Sequence, residues 1–296
     1  MARIGFGRDT PAMRPEEFRL LKDLFSARIG LSYGPDAALT LGRRLRPRLA
    51  ILNLATFAEY YQYLRFHPLA ESEWDEAVEL LTTNETYFWR EDFQLRAFKN
   101  ELLPMLAETN KQKRRLSIWS AGCATGEEVY TIAILLHDSG LFEGWDLRVF
   151  GSDISRRCVS AARRGIYGNS AFRAMPAAMK QLYFTEKPEG AHVADRIRAI
   201  CHFGQMNLLD EEKARLLGRV DVIFCRNVFI YFDTQARRRV IGAFHERLHA
   251  GGILLLGHSE SLLNISTAFE LLHLRDDLVY RKPKPQFGGP FGDSKS

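Results

Sequence analysis

Between residues 114 and 153 the chain reads RRLSIWSAG, then CATGEEVYTIAILLHDSG, then LRVFGSD after a short connection. An apolar run, a glycine turn, a helix-spaced segment and a second apolar run ending on an acid together make β-α-β punctuation. Gly122 and Gly126 fall where the first strand turns into the helix, so a ligand can approach backbone amides there. Further on, RVDVIFCRN and GGILLLGHS read as two more strands, with TQARRRVIGAFHERLHAGG as the helix between them and glycines closing that helix. The expected fold is therefore α/β, a doubly wound and mostly parallel sheet covered by helices.

The flanking sequence has a different rhythm. Phe18, Leu21, Leu24 and Phe25, then Leu39, Leu41, Leu45 and Leu49, then Phe57, Tyr60, Tyr61 and Leu64 recur at helical spacing, which predicts a small all-helical domain over residues 1–81. Pro47 is expected to interrupt one of its helices. Arg43, Arg44, Arg46 and Arg48 crowd together without an acid, as either a solvated face or a docking surface for an acidic partner. A larger α/β remainder follows over 82–281, and within it residues 171–203 read as a turn with short strands inserted as a β subdomain. Residues 282–296, rich in Pro, Gly and polar side chains, read as a frayed tail.

Composition narrows the partners. With 41 Lys and Arg against 36 Asp and Glu, the net charge of +5 is too small to argue for nucleic acid. The 4 cysteines include no CxxC pair, which speaks against structural zinc and a disulfide scaffold and fits a reducing cytoplasm; no metal is expected. The first ten residues lack an apolar signal core and the longest apolar runs are strand-sized, so a soluble protein is expected.

The glycine loop does not match GxxxxGK[ST] or GxGxxG, and Glu127 and Glu128 at the helix start would repel a pyrophosphate. Acid there suits a cationic cofactor, and S-adenosylmethionine carries an ammonium and a sulfonium. Asp153 ends the second strand, where a carboxylate can accept both ribose hydroxyls; the plainer reading is a helix cap. Cys123 reads as a packed thiol. Asn207 is either an adenine reader or a cap, and Leu208 either a pocket wall or core. Arg226 and Asn227 close a strand at the end where open α/β sheets present functional groups. His258, Ser259 and Glu260 are contiguous, make no triad, and read as residues that shape the loop.

Six ordered motifs carry a resemblance: TTNETYFWRE at 82–91, IWSAGCATGEEVYTIA at 118–133, GSDISRRCVSAARRGIY at 151–167, MNLLD at 206–210, VIFCRNVFIYFD at 222–233 and GGILLLGHSE at 251–260. Over roughly residues 13–281 the chain resembles the bacterial chemotaxis receptor protein-glutamate O-methyltransferase (CheR) family. The resemblance implies a class I S-adenosylmethionine-dependent methyltransferase fold with a helical N-terminal domain and a small antiparallel β insertion. It implies methyl transfer to glutamate side chains of methyl-accepting chemoreceptors, leaving glutamate 5-O-methyl esters and S-adenosyl-L-homocysteine. Carried over residue by residue, it makes Asn84, Thr86, Arg90, Glu128, Asp153, Asn207, Leu208, Arg226 and Asn227 cofactor-binding. Arg90 and Tyr231 would position the substrate, and Arg43, Arg44, Arg46 and Arg48 would dock the receptor. Phe88 and Trp89 replace the family's more usual aromatic pair and are expected to alter pocket shape.

The partner so implied is the receptor's cytoplasmic signalling domain, with no nucleic acid, no membrane insertion, a cytoplasmic location with recruitment to receptor arrays, and a monomer favoured. A glutamate is already ionised near neutral pH, so in-line transfer asks for positioning more than acid-base machinery. The competing readings are a methyltransferase for another protein or small carboxylate, a noncatalytic cofactor-responsive regulator, and an oxidoreductase, which the missing GxGxxG disfavours.

Overall fold

The structure is a computed structural model that describes residues 12–284. The expectations for the first eleven residues, and for all but 282–284 of the tail, lie outside the described residues.

Four helices come first. Helix α1 (Pro15–Ile29) starts on a proline that needs no N–H partner, and Glu17 reaches back to accept the Arg14 backbone N–H at 2.9 Å. It stops at Gly30, whose φ of 76° only glycine adopts freely. Helices α2 (Ala38–Ile51), α3 (Phe57–Phe66) and α4 (Ala70–Leu81) follow, and Leu21, Phe25, Leu41, Leu45, Leu49, Phe57, Tyr60 and Trp74 close a core of their own. Contrary to expectation, Pro47 does not interrupt α2. It lies on the exposed side, where the Arg43 carbonyl it leaves without an intrahelical donor is open to water.

Helices α5 (Asp92–Ala97) and α6 (Leu103–Thr109), joined by a π-helical turn at Phe98–Leu102, lead into the sheet domain. Its elements are β1 (Arg115–Ala121), α7 (Glu127–Asp138), β2 (Asp146–Asp153), α8 (Arg156–Arg164), β3 (Ile166–Tyr167), α9 (Ala177–Tyr183), β4 (Phe184–Lys187), β5 (Gly190–Val193), α10 (Asp195–Arg198) and β6 (Cys201–Gln205). They continue through α11 (Glu211–Arg215), β7 (Val220–Cys225), α12 (Thr234–Arg247), β8 (Leu248–Leu256), β9 (Glu270–His273) and β10 (Leu278–Arg281). The seven-stranded sheet runs β6-β2-β1-β7-β8-β10-β9. Its first five strands are parallel and β10 is antiparallel to both neighbours, the doubly wound order of class I methyltransferases. The order reverses between β1 and β7, so their C-terminal ends open a crevice.

Two details differ from the sequence reading. The inserted sheet, β3-β5-β4, begins at Ile166 and ends at Val193, whereas Cys201–Gln205 is the edge strand of the main sheet, paired to β2. The glycines expected to close α12 lie inside β8, beside the register shift between Val220 and Val222, where a Cβ on Gly252 would stand 2.9 Å from the His249 carbonyl.

The insertion is packed rather than appended. Phe88, fully buried, stacks on Phe172 at 5.0 Å and meets Tyr167 and Phe184 edge-on, while its N–H donates to the Ala171 carbonyl. Phe88 and Trp89 thus face this aromatic core, not the cleft, which corrects the expectation that they reshape the pocket. Among the described residues no helix is long and apolar enough to cross a membrane.

Candidate active site

The crevice at the β1/β7 switch is a cleft that gathers Asn84, Thr86, Arg90, Glu128, Asp153, Asn207, Leu208, Arg226, Asn227 and Tyr231 on one wall or another. These are all ten positions marked for cofactor or catalysis, drawn from five separate stretches of chain. The backbone is held tightly here. Gly122 has φ 79° and a Cβ on it would come 2.5 Å from Val228, so the loop after β1 closes directly onto the loop after β7. Ala124 and Asn227 on the cleft wall, and Trp89 and Glu91 on either side of the wall residue Arg90, also take positive φ although none is glycine.

Asp153 sits buried at the end of β2. Its Oδ2 accepts the Ala124 N–H at 2.8 Å and its Oδ1 the Ser155 N–H at 2.9 Å, which fixes the carboxylate and leaves a lone pair on each oxygen. Burial pushes its pKa up, and the backbone donors of Ser155, Ala124 and Ile154 only partly oppose that. Leu208, with Met206, Ile154 and Phe232, supplies an apolar wall beside it. Asn207 also lines the cleft. Its Nδ2 donates to the Arg28 carbonyl at 2.7 Å and its Oδ1 accepts the Leu209 N–H at 3.0 Å, so the amide ties α1 to the sheet domain.

Arg226 is the electrostatic centre. With 2% of its side chain exposed, it pairs with Glu128 at 3.2 Å and Glu91 at 3.1 Å. Burial pushes Glu128 up, against the pull of Arg226 and the Ser120 hydroxyl that donates at 2.7 Å. For Glu91 burial is outweighed, and Arg226 with the Asn227 amide holds it below the ordinary value. The acid after the glycine loop is therefore not free to meet a ligand charge alone, as the sequence suggested; the lining as a whole carries Glu85, Glu128 and Asp153 against Arg90 and Arg226. Glu91 was not anticipated, because only its left-handed backbone, φ 58°, turns it from the helix start towards Arg226.

The residues fit S-adenosylmethionine on an independent observation. Arg226 Nε and Asn227 Oδ1 are buried polar atoms without a protein partner among the described residues, an orphaned donor and an orphaned acceptor on consecutive residues of an acidic cleft. They match an amino-acid carboxylate and ammonium, Asp153 matches a ribose diol, and the Leu208 wall matches an adenine face. Cys123 is packed beneath the loop with its thiol pKa pushed well up by burial, so it offers no thiolate.

Glu260 has the shaping role expected of it. Its carboxylate accepts the N–H groups of Gly257 at 2.7 Å, Asn227 at 2.9 Å and Ile230 at 3.3 Å, clamping the turn that leads to Tyr231. A wall the sequence did not reveal comes from the helical residues, since Ile29, Leu31, Leu81, Thr82 and Thr83 also line the cleft.

The four arginines proposed for docking divide. Arg43 and Arg46 are exposed. Arg48 is held by Glu73 at 2.6 Å and Glu76 at 3.5 Å, and Arg44 donates to the Leu81 carbonyl at 2.8 Å, so these two serve the helical core itself.

Residues 84–277 match the family described as CheR methyltransferase, SAM binding domain, and residues 16–82 match CheR methyltransferase, all-alpha domain. A relative named Chemotaxis protein methyltransferase 2, from Vibrio cholerae, is 34% identical over 269 residues, covering 90% of this chain and 93% of its own. Chemotaxis protein methyltransferase from Klebsiella aerogenes is 35% identical, covering 89% of this chain and 88% of its own. A Pseudomonas aeruginosa protein named Chemotaxis protein methyltransferase 2 is 35% identical over 257 residues, covering 85% and 88%. Matched along both its helical and sheet regions, the chain belongs to the CheR methyltransferase family, the S-adenosylmethionine-dependent protein-glutamate O-methyltransferases of chemotaxis.

Proposed function

We propose that the cleft between the ends of β1 and β7 is where this enzyme holds both its cofactor and the receptor glutamate, with residues 82–281 as the catalytic domain and residues 1–81 as the domain that docks the receptor. The observation that carries the assignment is the convergence of Asp153, Arg226, Asn227, Arg90 and Tyr231 on one cleft. S-adenosylmethionine, when bound, supplies a sulfonium-activated methyl group whose transfer to a carboxylate needs no proton. Asp153 would hold the ribose, and Arg226 with Asn227 the amino-acid end. Arg90, whose Nη1 donates to the Glu85 carbonyl at 2.7 Å, keeps further N–H groups for the incoming carboxylate. One arginine held from behind orients that anion without fully quenching its nucleophilicity, and Tyr231 on the Glu260-clamped turn closes the opposite side.

Exposed Arg43 and Arg46 are the two cations of the original four left to attract an acidic receptor helix. The cytoplasm, where the receptor's signalling domain lies, is the compartment this reading requires. The test is transfer of labelled methyl from S-adenosylmethionine to chemoreceptor cytoplasmic fragments, read as base-labile methanol. Incorporation by the unsubstituted enzyme, and its loss in Arg90→Ala with S-adenosylhomocysteine affinity largely kept, is the expected result. Cofactor binding without incorporation into any folded fragment would leave the glutamate assignment without support.

A further inference from the structure

The segment that carries Arg90 is bordered by a second guanidinium. Arg173, from the connection between β3 and α9 within the insertion, lies 3.6 Å from the centroid of the Tyr87 ring, and Arg90 lies 5.8 Å from that same centroid. Tyr87 lines the cleft, so its ring stands between the reacting site and the insertion. Arg173 is 46% exposed, and its ion-pair partner Glu85, at 3.1 Å, is 69% exposed. An exposed pair of this kind is only weakly held, so Glu85 exchanges readily for another carboxylate. The stacked ring already fixes the guanidinium's plane, which lowers the cost of orienting it towards a new partner.

Resting on the reading that the cleft methylates a receptor glutamate, we propose that Arg173 is a second carboxylate subsite, which binds an acidic side chain one helical turn from the glutamate being methylated, and that Glu85 occupies this subsite until the receptor arrives. Side chains three or four apart on a helix have Cβ atoms about 5–6 Å from one another. Two guanidiniums held 5.8 and 3.6 Å from the centroid of one aromatic ring are near enough to each other to serve such a pair, Arg90 the reacting carboxylate and Arg173 its neighbour. The exchange is one carboxylate for another, with no change in covalent bonds and no net transfer of protons. It selects for an acidic stretch of helix rather than an isolated glutamate.

The experiment uses the full chain and a chemoreceptor cytoplasmic fragment that accepts methyl groups, together with the same fragment carrying Gln in place of the glutamate one turn from the modified position. Arg173→Ala is expected to raise the receptor KM about tenfold while leaving kcat and the S-adenosylhomocysteine Kd unchanged. Glu85→Gln is expected to lower the receptor KM. The Gln-substituted fragment should raise the KM of the unsubstituted enzyme and have no further effect on Arg173→Ala. An unchanged KM in Arg173→Ala, equal sensitivity of both enzymes to the Gln-substituted fragment, or loss of cofactor binding in Arg173→Ala would each overturn the subsite. Absence of transfer by the unsubstituted enzyme would overturn the catalytic reading itself, and the subsite with it.

Discussion

Glu260 accepts the backbone N–H of Asn227 at 2.9 Å across two loops of the sheet's C-terminal edge, and in doing so holds a non-glycine residue at φ 58°. The same carboxylate binds two further N–H groups, so its loss leaves three donors without their acceptor. Glu260→Ala should cost about 2 kcal/mol of stability and weaken S-adenosylhomocysteine binding, as measured by chemical unfolding and calorimetric titration. Glu260→Gln keeps one acceptor oxygen and should recover part of both. Equal behaviour of the two variants would show that the turn holds itself.

Arg226 faces two acids with almost no solvent. Removing it as Arg226→Met strands Glu91 and Glu128, and an uncompensated buried pair of this kind should cost about 3–5 kcal/mol. Adding Glu128→Gln to that variant restores charge balance, so the double variant should be more stable than the single in urea unfolding. A strictly additive loss would show that the attraction between them matters little.

Burial holds Asp153 above the ordinary carboxylate pKa. Because the folded value is raised, its contribution to stability is present at low pH and is lost as pH rises through that value. Ribose binding needs the ionised form, so cofactor affinity should do the reverse, rising with pH over the range just above ordinary carboxylate titration. Asp153→Asn should bind S-adenosylhomocysteine at least about tenfold more weakly and flatten that dependence. Titrations across mildly acidic pH check both, and a dependence retained in the variant would assign it to Glu127 or Glu128, which burial also raises.

Phe88 is the keystone of the aromatic cluster under the insertion. Phe88→Ala should cost about 3–5 kcal/mol and expose residues 166–193 to limited proteolysis. Protection unchanged from the unsubstituted protein would mean that the insertion is held from elsewhere.

What the sequence made legible follows from where the constraints are local. Asp153 could be placed because a strand ending on an acid one β-α-β step after a glycine loop has little freedom, and the sheet order then brought it to the crevice. Arg226 could be marked but not understood, since its partners Glu91 and Glu128 lie 135 and 98 residues away. The arginines proposed for docking show the opposite limit. Arg43 and Arg48 look alike in LGRRLRPRLA, and only the packing of α4 against α2 turns Arg48 onto Glu73. Asn207 is similar, since nothing in MNLLD shows that its amide also holds a carbonyl 179 residues away.

Immediately after α1, Leu31 bridges to Phe232, the Ser32 N–H donates to the Tyr231 carbonyl at 2.8 Å, and the Asp233 N–H donates to the Gly30 carbonyl at 3.1 Å. A gene fragment opening at Thr82 would encode every motif of the sheet domain and still yield a cleft with one side missing. The turn bearing Tyr231 would lose its backbone partners, and the apolar surfaces of Ile29 and Leu81 would be replaced by water. Excision of the helices would therefore damage the proposed transfer site as well as the proposed docking surface.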